Sequence, residues 1–155
     1  MTAWRGPYMG VGPSNVSEWR PYQASDFVTP PFAAYTSGHS TFSAAAAEAL
    51  ALFFGDDTYR GPPCFRTKEG ESLFEPRSND MPGFSDIPNT GFDTIGYTPR
   101  EDVVLCWDTY TDAAAEAGRS RFYGGIHVEA DDVSGQSLGR KVGRDVFSKA
   151  TVLFR

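Results

Sequence analysis

Ser120-Arg121-Phe122-Tyr123-Gly124-Gly125-Ile126-His127-Val128-Glu129-Ala130-Asp131 is the stretch around which this chain is organised. It places a permanent cation, an imidazole and a carboxylate close together. Arg121 carries a planar fork of donors matched to oxyanions. His127 follows a Gly-Gly break at the head of an expected helix, and Asp131 lies one helical turn further on. A carboxylate so placed can orient the ring or fix its tautomer. The upstream counterpart is Tyr35-Thr36-Ser37-Gly38-His39-Ser40-Thr41. Ser37 offers a hydroxyl there. Gly38 lets its backbone N–H approach a ligand with no Cβ in the way. The chain has only two histidines, and each sits in one of these stretches.

Taken singly, each part has an ordinary reading. Arg121 could pair with Glu116 at the surface, His127 could simply pack a helix start, and Ser-Gly-His could be a plain turn. The combination is far more specific than any part. Bulk properties narrow the rest. A chain of 155 residues is one domain's worth and can bury a core. The formal net charge of -6 argues against nucleic acid or an anionic membrane as the main partner. The longest apolar run, Ala44 to Phe54, is interrupted by Glu48 and is too short to span a bilayer. No secretory pattern opens the chain, and a soluble protein of undetermined compartment is expected. Cys64 and Cys106 fit no metal-ligand spacing, and their separation leaves pairing open.

Residues 1–36 read as an irregular aromatic arm, because Pro7, Pro13, Pro21, Pro30 and Pro31 prevent a long helix. Its rings are expected to wrap a helical body spanning 37–155, the whole forming a single domain. The first helix is expected over Ser40 to Phe54, capped by Thr36 or Ser37 and stopped by Gly55, with Phe42, Ala46, Ala49, Leu50 and Phe53 on one face. Gly38 and His39 then sit at a helix N-terminus, where free N–H groups favour an anion. Residues 55–102 are broken by Pro and Gly. Val103 to Trp107 is either a buried strand or a lead-in to a helix. A second helix is expected over Thr109 to Ala117 with Gly118 as its stop, and a third from about Ile126 to Leu153. Val142, Val146, Ala150 and Leu153 would form the third helix's core face. Gly135, Gly139 and Gly143 would form a bare stripe that lets another helix approach closely.

With these residues in view, the sequence resembles the superfamily of type 2 phosphatidic acid phosphatases and vanadium-dependent haloperoxidases. The Ser37-Gly38-His39 context, Ser120-Arg121, His127 and Asp131 carry the resemblance, with Leu138-Gly139-Arg140-Lys141-Val142-Gly143 behind them. They point to the bacterial haloperoxidase-like branch and to its C-terminal part. The resemblance implies an all-α fold, an incomplete helical bundle of the vanadium haloperoxidase and acid phosphatase type, with long irregular loops. It implies that His127 bonds vanadium, or acts as the phosphoryl-accepting nucleophile of a phosphatase. Arg121, Ser37 and the Gly38 N–H would hold the oxyanion's oxygens, His39 would be the acid–base group, and Asp131 would support His127. The implied cofactor is vanadate, with hydrogen peroxide oxidising a halide. The alternative is hydrolysis of a phosphate ester with no cofactor.

The family pattern begins with a lysine, six residues, then Arg-Pro. Trp19-Arg20-Pro21 has Pro13 where that lysine would stand, and no lysine precedes Lys68. Losing two charge-assisted hydrogen bonds weakens oxyanion binding by roughly 3–6 kcal/mol, about two to four powers of ten. The motif is expected upstream of this chain's start. That makes a homo-oligomer or a complementing N-terminal half an expected partner, and bare apolar helix faces an expected consequence. A truncated, catalytically silent fragment is the third reading.

Overall fold

The computed structural model describes residues 1–5, 10–19, 21–22, 29–62, 64–72 and 99–154. These form two compact units, Met1–Thr29 with Cys64–Leu105, and Pro30–Pro63 with Cys106–Arg155. In the first, β1 (Thr2–Trp4) pairs antiparallel with β2 (Val11–Pro13), Ala3 opposite Gly12. The N-terminal segment is therefore not wholly irregular. Trp4 meets Tyr22 edge to face at 4.4 Å between centroids. A second two-stranded sheet joins β3 (Cys64–Thr67) to β4 (Val103–Cys106). The apolar run at 103–106 is thus a strand, but an exposed one. All-α is an approximation to this architecture: a helical bundle with two small sheets. Most of the weakly patterned stretch between residues 60 and 100 lies outside the described residues, as does Arg20. Neither cysteine is a free thiol; both are disulfide-bonded.

The second unit is built from α1 (Gly38–Phe54), α2 (Tyr110–Tyr123) and α3 (Glu129–Leu153). Ser37 caps α1 by accepting a hydrogen bond from the Ser40 N–H at 3.3 Å, and Gly55 ends it in the left-handed region at φ 81°. Thr109 caps α2 in the same way through the Asp112 N–H at 2.9 Å. The helix does not stop at Gly118 but runs on to Tyr123. Gly118 is buried and serves close approach rather than termination, because a Cβ there would run into the Asp132 carboxylate and the Ser40 hydroxyl. α3 starts at Glu129, leaving Ile126 and His127 in the connection before it. A bridge between Thr58 and Thr109, with Tyr110 N–H donating to Asp57 O at 3.0 Å, fixes the start of α2 beside the end of α1.

The buried faces are made of small residues. Ser40, Ala44 and Ala47 face inward on α1, Tyr110, Ala114 and Gly118 on α2, and Asp131, Gly135, Gly139 and Gly143 on α3. The glycine stripe lies directly on α1. A Cβ on Gly135 would be 2.9 Å from Ser37 O, one on Gly143 would be 2.6 Å from Ala45 O, and one on Gly139 would overlap the Thr41 carbonyl. The bulky apolar faces are exposed, including the α3 face expected to be core. Phe42 is 79% and Phe53 71% exposed on α1, and Val146 57% and Leu153 80% on α3. Small residues win this contact because only they let the two backbones touch, and the bulky faces are left without cover inside this unit.

Gly139→Ala is expected to destabilise the fold toward the upper end of the about 1–3 kcal/mol typical of overpacking. That exceeds the roughly 1 kcal/mol gained by removing a helical glycine. Val142→Ala, on the exposed face, should stay within roughly 0.5 kcal/mol of neutral. Denaturant unfolding of both variants checks the assignment of faces, and a more stable Gly139→Ala protein would reverse it.

Candidate functional site

The ends of the three helices bring the sequence-selected residues together. Ser37, fully buried, is the N-cap of α1, and Gly38 and His39 are its first two residues. Among the described residues nothing lies within 4 Å of the position a Gly38 Cβ would take, so the helix N-terminus is open on that side. Arg121 stands in the last turn of α2, where a cation suits the helix dipole. His127 lies between α2 and α3, after Gly125 at φ 72° turns the chain. Asp131 is the third residue of α3.

Asp131 joins the two motifs. Its backbone carbonyl accepts a hydrogen bond from the Ser37 N–H at 3.1 Å. Its carboxylate meets His127 Nδ1 at 3.2 Å and accepts from the Val128 N–H at 3.3 Å. Both side chains of the His127–Asp131 pair are nearly buried, at 7% and 8% exposure. A carboxylate on Nδ1 makes that nitrogen the donor and leaves the Nε2 lone pair for a ligand.

Charge also converges here. The imidazole of His39 is held below the ordinary histidine range, first by partial burial and then by repulsion from Arg121 and from His127. Both cations thus act on His39 through the field rather than through a hydrogen bond. Burial also lowers the Arg121 guanidinium from its very high ordinary value, and it remains a cation at any physiological pH. Among the described residues no group of three or more His, Cys, Asp or Glu side chains converges as a metal-ion cage. The set holds one carboxylate-supported imidazole, tied through Asp131 to the start of α1, with Arg121 and His127 both acting electrostatically on His39, a chemistry that suits an oxyanion better than a bare cation.

Sequence reasoning missed the polar packing beneath these residues. Ser40 Oγ donates to Asp132 Oδ1 at 2.6 Å, and Gln136 Nε2 donates to the same oxygen at 3.0 Å. Thr41 Oγ1 donates to Ser37 O at 2.8 Å. Ser40 directly follows His39 and Asp132 directly follows Asp131. That adjacency is the only signal the sequence offers for them.

The fold defines a class: a helical bundle with Arg121, the Asp131-supported His127 and the Ser37-Gly38-His39 run at or beside its helix ends. The chain belongs to the VCPO second helical-bundle domain family, whose profile matches residues 1–155. It is similar in structure to a bacterial vanadium-dependent chloroperoxidase in apo form (TM-score 0.68) and in holo form (TM-score 0.69), at 22% identity to each. Each likeness covers 96% of this chain but only 27% and 26% of the chloroperoxidase chains, so this chain spans about a quarter of their length. No curated protein matches it. No helix among the described residues is long and apolar enough to cross a membrane.

A depressed histidine pKa means that stability from the neutral ring is present above its unfolded value and is lost as pH falls through the folded one. His39 should therefore titrate below the ordinary imidazole midpoint. Arg121→Met should raise that midpoint only part of the way, because burial, the larger cause, persists. Proton NMR titration of the two ring signals decides this, and an unmoved His39 midpoint would separate His39 from Arg121.

Proposed function

We propose that this chain supplies the histidine half of an oxyanion site of the vanadium haloperoxidase type, acting in halide oxidation by hydrogen peroxide. The observation that supports this most is the Ser37 N–H to Asp131 carbonyl bond, which ties the Ser37-Gly38-His39 run to the Asp131-supported His127, with Arg121 and His127 both acting on His39. The residues fit vanadate. His127 Nε2 would bond it, Arg121 would offset its negative charge, and the Ser37 hydroxyl with the Gly38 N–H would donate to its oxygens. When bound, vanadate supplies the Lewis acidity that activates hydrogen peroxide. His39, whose proton affinity is lowered by burial and by Arg121 and His127, would be the acid–base group toward an oxygen beside it. Asp131 holds His127 in the ligating tautomer throughout.

The remaining cations come, in this reading, from a polypeptide stretch carrying the lysine, six residues, Arg-Pro pattern that Pro13 interrupts here. Two missing charged donors correspond to about two to four powers of ten in affinity. The 155-residue chain alone should thus bind orthovanadate weakly, and the completed assembly far more tightly. The test is equilibrium binding of orthovanadate to the chain with and without such a stretch, each with His127→Ala as control. Affinity in the completed assembly that ignores His127→Ala removes the assignment. Phosphate release from a phosphomonoester without vanadate-supported bromide or chloride oxidation would move the reading to a phosphatase.

A further inference from the structure

We propose that Ser40, Asp132 and Gly118 form a positioning node that sets the spacing of His39, His127 and Arg121; its role rests on the oxyanion reading above. The three helices meet at one carboxylate oxygen. From α1, the wholly buried Ser40 donates its hydroxyl to Asp132 Oδ1 at 2.6 Å. From α3 itself, Gln136 Nε2 donates to the same atom at 3.0 Å and fixes the carboxylate's rotamer. From α2, Gly118 presents bare backbone; a Cβ there would strike Asp132 Oδ1 and lie 2.9 Å from Ser40 Oγ.

Each arm of the node is one short step from a site group. Ser40 follows His39 in α1, Asp132 follows the Asp131 that holds His127, and Gly118 lies three residues before Arg121 in α2. An O–H···O⁻ bond of this length belongs to the strong, directional class. Apolar side chains of similar volume would fill the same space but would not fix the sliding of α1 along α3. The glycine stripe lets the helices touch; the Ser40–Asp132 bond selects where along the stripe they stop. The Ser37 N–H to Asp131 O bond at 3.1 Å is the first contact outward from the node and reports its register.

The test uses the full 155-residue chain, unaltered and as Ser40→Ala and Gly118→Ala. Amide hydrogen exchange is followed at Ser37 and at Ala47, deep in the same helix. Both variants should accelerate Ser37 exchange relative to Ala47 by roughly tenfold or more, the effect of losing one hydrogen bond to a charged group. Equal acceleration at both amides, or none, overturns the node, since general destabilisation moves both alike. Orthovanadate binding is measured in parallel in the completed assembly, where each variant should weaken affinity about tenfold while the chain stays folded. Selective loss at Ser37 with unaltered affinity sinks the positioning role alone. Absence of His127-dependent binding in the unaltered protein instead sinks the oxyanion reading, and the node's purpose with it.

Discussion

The helical unit depends on how closely α3 can lie against α1. Three glycines in one helix are costly, each destabilising an isolated helix by about 1 kcal/mol relative to alanine. They persist here in a stripe whose missing Cβ atoms would all fall on the α1 backbone or its small side chains. Backbone contact at that range brings the head of α3 level with the head of α1. Only then can Ser37 reach the Asp131 carbonyl and Ser40 the Asp132 carboxylate. The chemistry at the helix ends is thus set by the absence of side chains along the helix bodies.

That arrangement explains which features were legible in the sequence. The site residues stood out because Arg121, His127, Asp131 and the Ser37-Gly38-His39 run are chemically distinctive at fixed spacing. The helices were found with boundaries shifted by a few residues, and the glycine stripe was read correctly as a close-approach surface. The buried faces were not. Periodicity identifies a bulky apolar face but not what covers it: the Val142 and Val146 face of α3 reads as core where Gly139 is buried instead, and on α1 Ala44 and Ala47 are buried while the Phe42 and Phe53 face is exposed. Gly118 was read as a stop because glycine ends helices more often than it lines them. Only the contact with Ser40 and Asp132, distant in sequence, distinguishes the two roles.

The exposed rings and valines also bear on energetics. A unit whose inner contacts are serine, alanine and glycine buries little apolar area per residue. Tyr110 and the half-buried Tyr59 are the large side chains at its centre. At about 25 cal/mol per Å² of apolar surface, such a contact stabilises less than a leucine-rich one of the same length. Polar ties that span helices therefore carry a larger share of the specificity here, and the Arg144–Glu48 pair at 2.7 Å between α3 and α1, more than half exposed on the arginine side, adds only a little.

Under the proposed function, proton and anion would be linked at this site, and the sign of the linkage follows from the causes of the His39 shift. Arg121 and His127 both oppose a proton on His39, and burial opposes it further. An oxyanion held between these groups would offset the two repulsions. Its binding would therefore raise the affinity of His39 for a proton, and by reciprocity it would bind more tightly as pH falls through the His39 transition. Additional cations from a Lys and Arg-Pro stretch would oppose a proton on His39 with and without the anion alike, so they would add affinity for the oxyanion without enlarging this linkage. Under the proposed function, it is the anion's own charge that would let His39 serve as a proton donor to a bound oxygen.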